Sequence, residues 1–335
     1  MQLRESDLGR RVLRCGIDPV KKLSEQELLD LREKVDQRLK ELASRPAVRQ
    51  GVIVEVAALA VQDRTVRCRT MDGQHRFTLR PSRGLHRAVE GHVLTVLPAK
   101  QWTYGRTAYV SGEIHDSRLD VKALDLVPLK LRDEWVWDSA EEYWGEPGEQ
   151  PDQCFEPIIK AGPRPSYEME QILPGYDPND PDSDPIGVAV DLYEAGNEPG
   201  SVRVLHRCLG ADLRVLDAHA HLGLWIFQRG ENSVCFEKAA QHYEVGVAIG
   251  ELSWGTGFKG VLDWGRINNR PFLRCLSGLG ICRWALGDHE RAAAIFRKML
   301  WLNPRDNQGA RFCLWAVERG KAYAEHSRET KKERP

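Results

Sequence analysis

The sequence predicts an α+β chain in four parts: an N-terminal helix, a small β-barrel, an acidic connector and a C-terminal α-helical domain. Three observations lead there. Apolar residues recur at three- and four-residue steps near both ends, as on one face of a helix. Between about 48 and 130 the chain instead breaks into short β-branched or alternating runs. Charge is also segregated: residues 1–132 carry 25 Lys+Arg against 17 Asp+Glu, residues 133–200 carry 2 against 18, and residues 201–335 carry 21 against 14. The parts are a helical segment over 1–46, a barrel over 47–132, a connector over 133–200 and a helical domain over 201–335.

The first helix is written in LSEQELLDLREKVDQRLKELASRP. Ser24 stands three residues before Glu27, the spacing of a capping box. Leu28, Leu31, Val35, Leu39 and Leu42 form one apolar stripe, and Pro46 ends it. The barrel follows in GVIVEVAALAV, RTVRCRT, HRFTLR, HVLTVLP, TAYVSGEI and LDVKALDLV, separated by turn signals such as Asp72-Gly73 and His115-Asp116. Five or six strands in so short a stretch predict a small closed or partly closed barrel, of which the OB type is one option.

The connector mixes aromatics with acid in WVWDSAEEYWGEPGEQPDQ and prolines with aspartates in PGYDPNDPDSDP. Proline removes a backbone donor and blocks helix continuation, so extended or turn-rich backbone is expected. Trp135, Trp137 and Trp144 are expected to pin part of it to a neighbour.

The C-terminal part carries the one recognisable pattern. In LRCLSGLGICRWALGDHERAAAIFRKMLWLNP, Leu279-Gly280 marks a close helix approach and Gly287 ends the first helix. Ala292, Phe296 and Met299-Leu300 stripe the second helix, and Pro304 closes the unit. An earlier stretch repeats this with Leu222-Gly223, Gly230, Ala239 and Tyr243, and a further helix after Pro304 caps the stack. The unit over 273–304 resembles a tetratricopeptide repeat, and the stretch over 216–249 resembles it more loosely. An insertion of about 20 residues, GELSWGTGFKGVLDWGRINNRP, separates the two. Fewer than three repeats is marginal for a freestanding solenoid, so these helices are expected to lean on another part of the chain or on a second subunit.

The resemblance implies a peptide-binding groove. Its lining would be Arg274, Ser277, Ile281 and Trp284 from one first helix, and Asp217, Ala220, Leu224 and Phe227 from the other. The capping helix would add Gln308, Arg311, Trp315 and Arg319. Such a groove suits an extended peptide with acidic and apolar side chains. The opposing reading places Trp284 and Trp315 in the core, with the arginines only solubilising.

A second surface lies on the barrel. Arg64, Arg67, Arg69, Arg76 and Arg80 are followed by Trp102, Tyr104 and Arg106. Arginine for phosphate with exposed rings for stacking is how barrels of the OB type hold single strands. The opposing reading has these arginines solvated or facing the acidic connector.

Enzymatic chemistry finds little support. The chain has no Gly-x-Ser-x-Gly elbow, no P-loop and no Gly-x-Gly-x-x-Gly turn. His219 and His221 are two apart on an expected helix, about 200° round the axis, and do not share an ion. Cys275 and Cys282 lack the partners of a zinc set. Neither a metal nor a cofactor is expected. With 41% hydrophobic and 29% charged residues the chain should fold, and no apolar run is long enough to span a membrane. Eight cysteines without a C-x-x-C pair, and charges at the very start, point to a reduced, cytoplasmic protein. The expected role is therefore a non-enzymatic adaptor or regulatory subunit that binds a protein partner through the groove, with self-association plausible. Nucleic-acid binding by the Arg-rich barrel is the alternative.

Overall fold

A computed structural model describes residues 30–34, 48–62, 64–144, 150–230 and 232–332. Two compact units divide the chain, Met1–Ala47 and Val48–Pro335. In the first, residues 30–34 are helical, and the rest of the expected N-terminal helix lies outside the described residues. Everything below concerns the second unit.

Alternation sets up the sheet. Five strands, β1 (Val54–Gln62), β2 (Thr65–Thr70), β3 (Arg76–Arg83), β4 (His92–Tyr104) and β5 (Thr107–Leu119), pair in the order β1-β2-β3-β5-β4. β1 also pairs with β4, so each strand has two neighbours, and the β3–β5 pairing is parallel among antiparallel ones. Val66, Cys68, Phe77 and Leu79 point inward, while Arg67, Arg69, Arg76 and Arg80 occupy the alternate, outward positions. LDVKALDLV forms no strand. It leaves the sheet after Leu119 in a series of turns, and its Leu124 joins Leu129 in the core shared with the helices.

The segment 133–200 is folded rather than extended. β6 (Leu131–Trp137) pairs antiparallel with β7 (Arg164–Met169), and α1 (Glu156–Ala161) lies between them in sequence. Trp137, Phe155, Ile158 and Met169 are buried in the helical core, and Trp144 packs on Trp137 and Phe155. Composition misled here because some of the acids pair with distant arginines and others cap helices. Glu134 pairs with Arg266 at 2.6 Å and Glu142 with Arg305 at 2.9 Å, both on the C-terminal third. Asp184 caps the next helix by accepting from the Ile186 N–H. Glu134 and Glu142 thus neutralise arginines of the C-terminal third.

Eight further helices complete the unit among the described residues: α2 (Pro185–Glu194), α3 (Glu198–Ala211), α4 (Leu216–Gln228), α5 (Ser233–Glu251), α6 (Arg270–Ala285), α7 (His289–Leu302), α8 (Ala310–Glu318) and α9 (Tyr323–Lys332). Asn232 and Asp288 cap α5 and α7, and Gly287 takes φ +81° just beyond α6, where a side chain would be strained. Helices α4–α5 and α6–α7 are consecutive packed pairs, and α4 also lies against α6. The insertion between them is tied to the small sheet. Val261 bonds both sides of β7, its N–H to Pro165 O and its carbonyl to the Tyr167 N–H. The buried Asn269 amide donates to Tyr167 O and Asp263 O and accepts from the Met169 N–H.

The five-stranded sheet and the helices meet along a seam of small residues and one buried polar cluster. Ala60 and Gly210 approach closely, and a Cβ at Gly91 would lie 2.6 Å from the Val245 side chain. In the cluster, Glu90 is 1% exposed. Its Oε1 accepts from the Val61 N–H at 2.7 Å and from His206 Nδ1 at 2.5 Å. Lys238 of α5 donates to the His86 and Ala88 carbonyls of the same loop. His92, His219 and His242 complete it. Burial pushes the Glu90 carboxyl up, but its bonds to His206 and Val61 outweigh this and hold it below the ordinary range. Burial pulls His92 and His219 down to about 4, reinforced at His92 by the Lys238 charge, and it takes His242 well below its ordinary value.

These histidines make the fold acid-sensitive. Each is neutral when folded and takes a proton when unfolded once the pH passes below 6.5, so the unfolded chain binds more protons between 6.5 and about 4. Stability present above that window is lost as pH falls through it, and the depressed Glu90 acts in the same direction. Urea midpoints at pH 7.5, 5.5 and 4.5 should decline steadily, and His92→Asn should flatten the slope by about one proton. Equal midpoints across the series contradict this account.

Candidate functional site

The concave side of the helical pairs is built by glycine. Gly223 on α4 and Gly278 on α6 face the ring of Tyr243, which comes from α5. A Cβ would stand 2.7 Å from that ring at Gly223 and 2.2 Å at Gly278. Only hydrogen at both positions lets the tyrosine pass between the two helices. Ahead of it opens a cavity of about 310 Å³ lined by Ala220, His221, Leu224, Phe227, Tyr243, Arg274, Ser277, Gly278, Ile281, Gln308 and Tyr323. Leu224 is 40% exposed at its rim.

The polar edge is ordered. Arg274 Nη1 bonds the nearly buried Asp217 at 2.8 Å, and His221 Nε2 lies 3.8 Å from the same carboxylate. Burial lowers the His221 pKa, with Asp217 opposing and Arg274 assisting. Gln308 donates to Leu273 O, while its Oε1 is buried without a partner among the described residues.

Arg274, Ser277 and Gln308 thus meet Ala220, Leu224, Phe227 and Ile281 at one cavity. Five expected residues do not line it: Asp217, held in the ion pair with Arg274, and Trp284, Arg311, Trp315 and Arg319. Trp284 is 2% exposed: its Nε1 donates to Lys321 O, and Tyr323 and His326 of α9 pack on its ring. Arg311 stacks on Phe312 and faces Asp306. Trp315 and Arg319 line a separate cavity of about 1020 Å³ with Trp301, Arg297 and Ile158. Trp284 fails as a groove residue because α9 folds over it, which helix periodicity does not reveal. Tyr243 and Gly223 were visible only as pattern residues, His221 only as half of a histidine pair set aside as a metal site, and nothing in the sequence singled out Gly278.

The outer face of the sheet is the second site. Pairing places Arg67, Thr78, Tyr109 and Trp102 side by side across β2, β3, β5 and β4. Trp102 and Tyr109 stack at 5.5 Å, with the Arg80 guanidinium 5.0 Å from the Tyr109 ring and 5.7 Å from Trp102. Tyr104 and Arg106 are exposed at the β4–β5 turn, and Arg64 and Arg76 are exposed as well. Two expected contacts are instead structural: Arg67 donates to Gly210 O at 3.1 Å and Arg69 to Leu124 O at 2.8 Å. They tie the sheet to neighbouring backbone, while Arg76, Arg80 and Arg83 of β3 are exposed.

The glycine gate gives a stability test. Gly278→Ala should lower stability by about 1–3 kcal/mol, as overpacking of a filled site does. Adding Tyr243→Ala should remove most of that penalty, and thermal melts of the four chains of the cycle measure it. No protein-family model matches the chain, and no curated protein matches it.

Proposed function

We propose that this chain is a non-enzymatic interaction protein that holds a segment of a protein partner on the concave face of α4 and α6. The observation that carries the reading is the cavity itself. Exposed Leu224, with Phe227 and Ile281, forms an apolar hollow of about 310 Å³ edged by Arg274, Ser277 and Gln308. Apolar hollows with a few convergent polar groups anchor peptide side chains. The helical pairs, their glycine spacing and the capping helix support reading this region as a short tetratricopeptide-like stack. The insertion and the β6–β7 sheet would supply the neighbours that missing repeats would otherwise provide.

Nucleic-acid binding is the second reading, and the stacked Trp102–Tyr109 pair under Arg80 favours it. The ring of pairings with one parallel contact, β3 to β5, supports reading the sheet as a small barrel of the OB type. Its outer face would then stack bases on the rings, with Arg76 and Arg80 on phosphate.

The two separate by experiment. A protein retained from host lysate after nuclease treatment, and lost on Leu224→Glu or Ile281→Glu with unchanged circular dichroism, is the expected result. Retention by both variants refutes the groove. For the barrel, affinity for a single-stranded oligonucleotide should fall with a log–log salt slope near −0.7 per phosphate contacted. Trp102→Ala should then cost about 1–3 kcal/mol, whereas a salt-independent or undetectable interaction removes this reading.

A further inference from the structure

We propose that the cavity where the five-stranded sheet meets the helices is a binding site for a small neutral phenol, whose hydroxyl donates to Nε2 of His206. The cavity has a volume of about 320 Å³ and lies among β1, the loop before β4, α3, α4 and α5. Its apolar wall comes from Val61, Val202, Leu222 and Ile226, and its polar wall includes Glu90, His206, Lys238 and His242. Cavities of this size at the junction of two folded parts are a usual seat of small ligands. Glu90 fixes the His206 ring, because its Oε1 takes the bond from Nδ1 at 2.5 Å. In the neutral ring the proton then sits on Nδ1, and Nε2 keeps its lone pair. That nitrogen has no hydrogen-bond partner among the described residues, and it is not one of the polar atoms sealed from solvent. The His206 side chain is 24% exposed and lines the cavity, so Nε2 is the acceptor that an incoming ligand meets.

The rest of the wall narrows the ligand. Trp225 also lines the cavity and is 4% exposed, yet its indole N–H is neither bonded nor sealed among the described residues. One donor and one acceptor are thus on offer, and a hydroxyl answers both with a single oxygen. Charges on the wall are already balanced. Glu90 offsets Lys238, whose ammonium donates to the His86 and Ala88 carbonyls, and Arg229 pairs with Glu198. Burial, with Lys238 assisting, holds His242 well below its ordinary pKa, so it adds no charge. A carboxylate would bring an uncompensated charge up against a lone pair. An ammonium group would meet the like charge of Lys238. A phenol suits the site better than an alkanol does, because its hydroxyl is the more acidic donor. The Lys238 cation also favours the negative charge that gathers on the phenol oxygen.

The test titrates 4-fluorophenol, 4-fluoroanisole and 4-fluorobenzoate into the full chain at neutral pH, followed by fluorine NMR. The phenol should bind about fivefold more tightly than the anisole, which keeps the ring and the oxygen but has no proton to give. His206→Asn retains an N–H towards Glu90 and removes only Nε2, so it should abolish that preference and leave anisole affinity unchanged. Val202→Trp fills the cavity and should abolish binding of both. Leu224→Glu, in the separate concave cavity, should change neither. In the wild type the Nε2 resonance of His206 should shift on saturation with phenol and not with anisole, a readout that requires no variant. Equal phenol and anisole affinity, tighter benzoate, an unmoved Nε2 resonance, or no phenol binding overturns the proposal. A phenol preference that survives His206→Asn does so as well, as does binding that is lost in Leu224→Glu and kept in Val202→Trp.

Discussion

The buried carboxylate of Glu90 is the contact on which the arrangement of this molecule turns. Taking a carboxylate out of water costs several kcal/mol unless its oxygens are bonded. Here both bonds fall on Oε1, from the Val61 N–H of β1 and from His206 of α3, while Oε2 is buried without a partner among the described residues. Lys238 of α5 reaches the same loop and bonds two of its carbonyls. One loop between β3 and β4 is thereby clasped by two helices that are remote in sequence. An apolar seam alone would allow sliding, whereas a buried charge with directional partners admits one docking. The close approach of Gly91 to Val245 follows from that docking, because a bulkier residue would hold the loop away from α5.

With α5 fixed, the helical part inherits its geometry. Tyr243 is on α5, and its ring sets the separation of α4 and α6 through Gly223 and Gly278. The far side is fastened by the acidic segment. Arg164 is 3% exposed between the rings of Trp137 and Trp301 and donates to Trp301 O. Burial lowers its pKa to about 10, so it is a cation at neutral pH held largely by aromatic faces. Asn269 and Val261 bind the insertion to β7. Two short helical pairs, too few to stand alone as a stack, are thus held between a sheet on one side and a small β platform on the other.

This division of labour bears on both candidate surfaces. On the sheet, arginines that read as one basic patch split into two groups. Arg67 and Arg69 are spent on backbone carbonyls, and Arg80 rests on stacked rings. On the concave side, Arg274 is neutralised by Asp217 and the cavity is edged by neutral polar groups. Charge totals therefore overstate how basic either surface is to an incoming ligand.

Part of the local structure was legible in the sequence: the alternation of β2 and β3, the apolar stripe of α7 and the glycine after α6. Each depends on a short-range rule, a period of two or 3.6 or a left-handed turn that glycine takes without strain. The misreadings were of longer range. LDVKALDLV has strand composition, but its leucines find a better apolar partner in the helical core than in a sixth ladder position. The acidic segment read as extended or turn-rich connector, yet Glu134 and Glu142 meet arginines more than 100 residues away in sequence. Trp284 looked available until α9 covered it. Sequence alone determined which backbone could form and which side chains shared a face. Tertiary structure decided which of those side chains remained free, because burial and ion pairing depend on neighbours that only the folded chain brings within a few ångströms.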